Sequence, residues 1–251
     1  MQGVLLKEKR IIDLVGENYV RASVLFYFGI KFYEYNNQTL EEVCRQKGLK
    51  VEQVVNELES AVQSNQEDIP LAHYPLDIII EYLKHAHFTF IKHKLPYISK
   101  LIEGLSVADA QFENLVRDLK LVFPLFVEDF IHHIYEEEDT LFKYIIKLEL
   151  AAKQKLNPVK LWRQLEAHSL QQFALEHELH EDEMAGIRKI TLNFELYDTT
   201  PLHVKVIYAE LMDFEKQLIT HAAIENNILF PRAMSLEAQV KERLFSKSRW
   251  N

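Results

Sequence analysis

Apolar side chains along this chain recur at helical spacing almost throughout. Near the start, Ile11, Ile12, Val15 and Tyr19 trace one helix face. Thr39 precedes Leu40-Glu41-Glu42, an N-cap followed by acids in the first turn, and Gly48 closes that helix. Lys50 to Ala61 predicts another. The stretch SNQEDIP, Ser64 to Pro70, is polar and breaker-rich and predicts a linker. Four long periodic segments follow. The first runs from Leu76 to Ile102 and stops near Gly104. The second runs from Ala108 to Leu150, with Pro124 as a kink. The third opens at Asn157-Pro158, a cap and a first-turn proline, and runs to Asn193. The fourth opens at Thr200-Pro201 in the same way and runs to Met234. No strand pattern interrupts them. The expected fold is all-α, an antiparallel four-helix bundle over residues 75–235. A small helical N-terminal domain over residues 1–63 and a linker at 64–74 precede it, and a C-terminal tail at 236–251 follows.

Composition narrows this picture. Of the 251 residues, 48% are hydrophobic, enough for one sizeable core or a core with a small satellite. Only 6 Gly and 7 Pro are present, which favours helices over turn-rich β structure. The formal charge of −9 argues against nucleic acid or an anionic membrane as partner. The single cysteine, Cys44, excludes an internal disulfide and points to a reducing compartment. It reads as a small buried hydrophobe. The opening MQGVLLKEKRIIDLVGE is too charged for a signal peptide, and no apolar run reaches the roughly 18 residues that span a membrane. The expectation is a soluble cytoplasmic protein.

The 11 histidines are not scattered evenly. The second long segment carries HIYEEEDTLF from His133, and the fourth carries HAAIENNILFP from His221. Both read H-x3-E-x3-L-F. Residues at i and i+4 share a helix face, so His133 projects with Glu137, and His221 with Glu225. The Leu-Phe pair one turn later turns that face toward the core. A buried carboxylate without a counter-charge is costly, and a metal centre between two such pairs supplies one. His132–Glu136 and His177–Glu181 share the spacing, which a solvated surface pair also satisfies, so the repeat of the longer pattern on two helices carries more than spacing alone. The third segment offers His177 as an inward imidazole. The first offers HAHFTFIKHKLP, with His85, His87 and His93. Histidine with bridging carboxylate is the ligand mix of a non-haem di-iron or di-manganese site in a bundle. A zinc site more often draws on cysteine.

Together these motifs resemble the hemerythrin-like (HHE) di-iron proteins, in particular the branch that repairs iron centres. HAAIENNILFP is similar to that branch's last-helix motif, H-x3-E-N-N-x-L-F-P. HIYEEEDTLF is similar to its H-x3-E-E-x-x-L-F motif, with Lys143 where proline is usual. EHELHEDEMAGIRKIT resembles an E-H pair followed by an I-R-x-x-T segment, which assigns the ligand to His177, with Glu181 in place of a usual glycine. In the first helix the resemblance carries the ligand onto His87, with His85 as the fallback and His93 as a partly exposed helix residue. Asp109 reads as a helix N-terminal carboxylate. The small domain departs most. Relatives carry Phe-Cys-Cys-Gly-Gly where this chain reads Phe32-Tyr33-Glu34-Tyr35-Asn36. Both thiols are gone.

The resemblance implies two iron ions held by His87, His133, His177 and His221, with Glu137 and Glu225 bridging them. Manganese and zinc are the other metals such ligands accept. It implies a metal-binding protein rather than an enzyme, one that restores iron–sulfur clusters damaged by nitric oxide or oxidants by releasing labile iron. Its partners would be the damaged iron–sulfur proteins. The alternative is reversible binding of dioxygen or nitric oxide. The aromatic stretch Phe32 to Tyr35 suits a contact patch for a partner or for a homodimer.

Overall fold

The computed structural model describes residues 6–63, 71–106, 112–156, 170–179 and 182–248. In chain order the helices are α1 (Ile11–Glu17), α2 (Val20–Tyr27), α3 (Leu40–Lys47), α4 (Val51–Gln63), α5 (Leu76–Thr89) and α6 (Leu95–Glu103). Then come α7 (Glu113–Glu136), α8 (Lys143–Ala152), α9 (Leu170–Leu179), α10 (Ala185–Ile190), α11 (Leu202–Ile224) and α12 (Phe230–Ser248). Among the described residues there is no strand, only an isolated bridge between Arg10 and Thr39. The fold is an all-α helical bundle. None of its described helices is long and apolar enough to cross a membrane.

Three pairs of helices are joined end to end by π-helical turns. Phe90–Lys94 links α5 to α6, Glu137–Phe142 links α7 to α8, and Glu225–Leu229 links α11 to α12. In the first and last, the Leu95 and Phe230 amides reach back five residues to the Phe90 and Glu225 carbonyls. Pro96 and Pro231 follow immediately, where a residue without an N–H is tolerated because the α-helical ladder is already interrupted.

The sequence places several helix ends correctly. Thr39 Oγ1 accepts from the Glu42 amide at 3.3 Å, and the Thr39 amide donates to Glu42 Oε2 at 2.9 Å. This capping box fixes the start of α3. Gly48 ends it at φ +69°, a left-handed position that glycine takes without strain. Other ends differ. The third segment does not reach Asn193: α10 stops at Ile190, and Leu192, Asn193 and Phe194 hold φ of 50°, 55° and 60°. The fourth does not stop at Met234. There α12 continues to Ser248, burying Val240 and Leu244, and the Tyr144 hydroxyl donates to Glu237 Oε1 at 2.7 Å. Pro124 lies inside α7, which runs through it. The SNQEDIP stretch, Asn157-Pro158 and Asp109 lie outside the described residues.

By contacts the chain forms two compact units. The first comprises Met1–Asp68, Pro96–Lys120 and Ile190–Asp213. Within it α2 packs on α4, and α1 packs on α2 and on the 3-10 turn Phe32–Glu34. Cys44 is buried, which pushes its thiol pKa up. The aromatic stretch is partly inside: Phe32 is buried, and the Tyr33 ring lies flat on His203 at 4.3 Å and 12°. Gly104 leaves room for that ring, since a Cβ there would meet it at 2.6 Å.

Burial holds the pKa of His203 down at about 4, against a hydrogen bond to the Leu101 backbone and with the help of Lys120. The unfolded chain, with an ordinary imidazole near ~6.5, therefore binds the extra proton first. The stability from a neutral His203 is complete above that pH and is lost as pH falls through 6.5 toward 4. Denaturant titrations across this window should show a steeper loss for the wild type than for His203→Gln. Equal slopes would contradict the assignment.

The second unit comprises Ile69–Leu95, Leu121–Lys189 and Phe214–Asn251. Within it α5 packs on α8 and on the π turn Glu225–Leu229, while α8 and α9 pack on α12. Its core includes Ile79, Ile80, Leu83, Phe142, Ile145, Leu148, Phe230 and Ala233. A second apolar group, the rings of Phe90, Phe126, Phe130 and Phe214, has neighbouring centroids 5.5–6.1 Å apart.

Candidate metal centre

The second unit carries the His–Glu motifs. The α-helical spacing holds where the sequence needs it. His133 Nε2 lies 3.3 Å from Glu137 Oε1, and His221 Nε2 lies 3.3 Å from Glu225 Oε1. α5 adds His87, whose Nε2 faces His221 Nε2 at 3.0 Å and Glu137 Oε2 at 3.3 Å. One ligand atom from each of His87, Glu137, His221 and Glu225 falls within 4.8 Å of the others.

Glu137 is the hinge of this arrangement. Its two carboxylate oxygens face different imidazoles, Oε2 toward His87 and Oε1 toward His133. Glu137, Glu225 and His87 are each only 1% exposed. Burial lowers the pKa of His87. Hydrogen bonds to Glu137 and Glu138 and the charges of Glu137 and Glu225 outweigh it, and the net direction is up. On the far side of that ring, Nδ1 lies 2.9 Å from Glu138 Oε1, and Phe142 stacks on the ring at 5.7 Å and 7°.

The structure separates the remaining candidates. His85 is exposed and stands apart from the cluster, because residues two apart project from opposite sides of a helix. Phe88, one turn from His85, is 53% exposed. His93 is exposed, as are His132 and Glu136. His177 has its backbone in α9, and its side chain lies outside the described residues. Two carboxylates at the site went unnoticed in the sequence. Glu138 is visible as the second acid of the E-E pair in HIYEEEDTLF, and Glu183 as one of the acids in HEDEM. Glu183 Oε1 lies 3.8 Å from His133 Nε2.

A cleft of about 950 Å³ opens onto this cluster. Besides His87, His133, Glu137, His221 and Glu225, its lining includes Phe130, Leu218, Asn226 and Glu183. In its lining, Arg188 pairs with both Asp182 and Glu215, which raises the guanidinium pKa. Buried carboxylates beside neutral nitrogen donors, with no thiol among them, form a set that fits a divalent iron, manganese or zinc ion. In such a site the cation supplies the charge that the carboxylates otherwise lack.

No family-level sequence profile matches the chain. Individual proteins do. A Staphylococcus haemolyticus protein named iron-sulfur cluster repair protein ScdA is 17% identical over 227 residues, covering 90% of this chain and 98% of its own. The Escherichia coli O157:H7 protein named iron-sulfur cluster repair protein YtfE is 25% identical over 222 residues, covering 86% and 93%. A Yersinia pseudotuberculosis protein of the same name is 21% identical over 197 residues, covering 78% and 83%. These matches run nearly end to end, well beyond the two His–Glu motifs. Over most of its length the chain is thus similar to proteins named for the repair of iron–sulfur clusters.

Proposed function

We propose that the chain binds two ferrous ions in this cluster and gives up iron to damaged iron–sulfur clusters. The observation that carries the reading is Glu137. It is a buried carboxylate with one oxygen toward each of two imidazoles from different helices, the disposition of a bridging ligand between two cations. The repair role named for the relatives supports it.

In this reading His87 and His221 would serve one ion, His133 and His177 the other, and Glu137 and Glu225 would be shared between them. The iron so held would be a labile cargo. Glu138 accepts from His87 Nδ1, which leaves Nε2 free to face the centre. The phenyl ring of Phe142 keeps that imidazole in plane. The cleft gives a route by which iron leaves. Imidazoles must be neutral to bind metal, so acid loosens the site.

The test loads the protein with ferrous ion without air and mixes it with a cluster protein pretreated with nitric oxide. Recovery of the cluster absorbance should outpace that given by the same amount of free ferrous ion. Recovery no faster than free iron discards the donor role. The cleft also favours a second reading, reversible binding of dioxygen or nitric oxide. An absorption band that appears with dioxygen and vanishes on its removal would favour that reading.

A further inference from the structure

We infer that Glu183 is an additional metal ligand, on the His133 side of the centre. This rests on the two-ion reading above and adds to it a carboxylate that neither His–Glu motif contains. Glu183 follows α9 by four residues and precedes α10 by two, so its nearest plain role is an acid at the start of a short helix. Its side chain does something else. It is only 25% exposed, it lines the cleft, and it brings Oε1 to 3.8 Å from His133 Nε2.

The distances distinguish a ligand from a hydrogen-bond partner. A nitrogen–oxygen separation of 3.8 Å is too long for a hydrogen bond. Two donors each ~2.1 Å from one cation, however, stand about 3–4 Å apart. His133 Nε2 has two such oxygens, Glu137 Oε1 at 3.3 Å and Glu183 Oε1 at 3.8 Å. Both carboxylate oxygens thus stand at ligand spacing from the one imidazole nitrogen. Neighbouring residues hold Glu183 there. Arg188 binds Asp182, the residue just before it, and at the same time Glu215 at the start of the second unit's last segment. That clamp fixes the short Asp182–Met184 turn, whose Asp182 carbonyl also accepts from the Ala185 amide at 3.1 Å.

The consequence is asymmetry. Beyond the shared Glu137 and Glu225, the ion on the His133 side gains a further anionic oxygen that the ion between His87 and His221 lacks. The two ions should therefore leave at different rates, with the His87–His221 ion going first as the deliverable one.

The test uses the full-length protein loaded with ferrous ion and challenged with excess ferrous chelator, with release followed by absorbance. The wild type should bind two ions and lose them in two phases of equal amplitude. Glu183→Gln should accelerate the slow phase alone by about tenfold or more. Arg188→Gln should accelerate the same phase by less. Glu183→His, which replaces one ligating group by another, should restore slow release, whereas a merely electrostatic role would leave it as fast as in Glu183→Gln. Circular dichroism of the metal-free variants checks that they fold. Two bound ions with wild-type release rates in Glu183→Gln would overturn the inference and leave the two-ion reading standing. A wild type that takes up no ferrous ion would overturn both.

Discussion

Each ferrous ion bound at about 1,000 times its Kd should stabilise the native chain by about 4 kcal/mol. For a chain of 251 residues this is a rise in melting temperature of roughly 8–16 °C. In Glu225→Gln most of the rise should disappear. The reason lies in burial. Glu225 is 1% exposed and 3.3 Å from His221, so a cation joining the cluster adds a favourable interaction with its buried charge. Gln keeps the shape and removes the charge. The metal-free variant should melt no lower than the metal-free wild type, because the buried charge is gone. Scanning calorimetry with and without ferrous ion measures both quantities. A variant that keeps the full metal-induced rise would show that Glu225 is not a ligand.

Phe214→Ala should cost about 3–5 kcal/mol, the range for emptying a fully buried aromatic site. Phe214 is completely buried, and its ring meets Phe90, Phe126 and Phe130 edge to face at 5.5, 6.1 and 5.7 Å. Each such contact contributes roughly 0.5–1.5 kcal/mol beyond area burial. The loss should also reach the metal centre, because Phe90 sets its edge against the His221 ring at 5.8 Å. Ferrous affinity should fall about tenfold, on the scale of losing a group that orients a ligand. Urea titration and chelator competition on Phe214→Ala and Phe214→Leu separate the two effects. The Leu variant keeps more apolar volume and should lose less of both. Wild-type ferrous affinity in a destabilised Phe214→Ala would uncouple the aromatic group from the site.

Much of this was legible in the sequence because it rests on local rules. Thr39 and Gly48 announce the ends of α3 through side-chain chemistry acting within four residues. His133–Glu137 and His221–Glu225 announce themselves because i and i+4 share a face whatever surrounds them. His87 against His85 was harder. Both lie on α5, two residues apart, and the neighbouring helices decide which is inside. Glu183 was out of reach because its approach to His133 depends on a turn held by Arg188. The continuation of α12 beyond Met234 was hidden for a different reason. Its buried positions, Val240 and Leu244, are sparse among charged residues such as Lys241, Glu242 and Arg243.

The π turns left only a faint trace. In each, two buried residues stand five apart: Phe90 and Leu95, Glu137 and Phe142, Glu225 and Phe230. In an unbroken α-helix such residues are about 140° apart around the axis. In the latter two turns, Leu141 and Leu229 at i+4 satisfy the α period as well, so a pattern search passes over the insertion.

Each of those wide turns is equivalent to one surplus amino acid in an otherwise regular rod. Removing one residue, for instance Asn227, would let that rod relax to a uniform pitch with Glu225 and Phe230, then four apart, still on one face. Among the described residues there are three such surplus positions, close to its histidines and acids. A lineage that lost one would gain a more regular coil and give up the local widening beside its ligands.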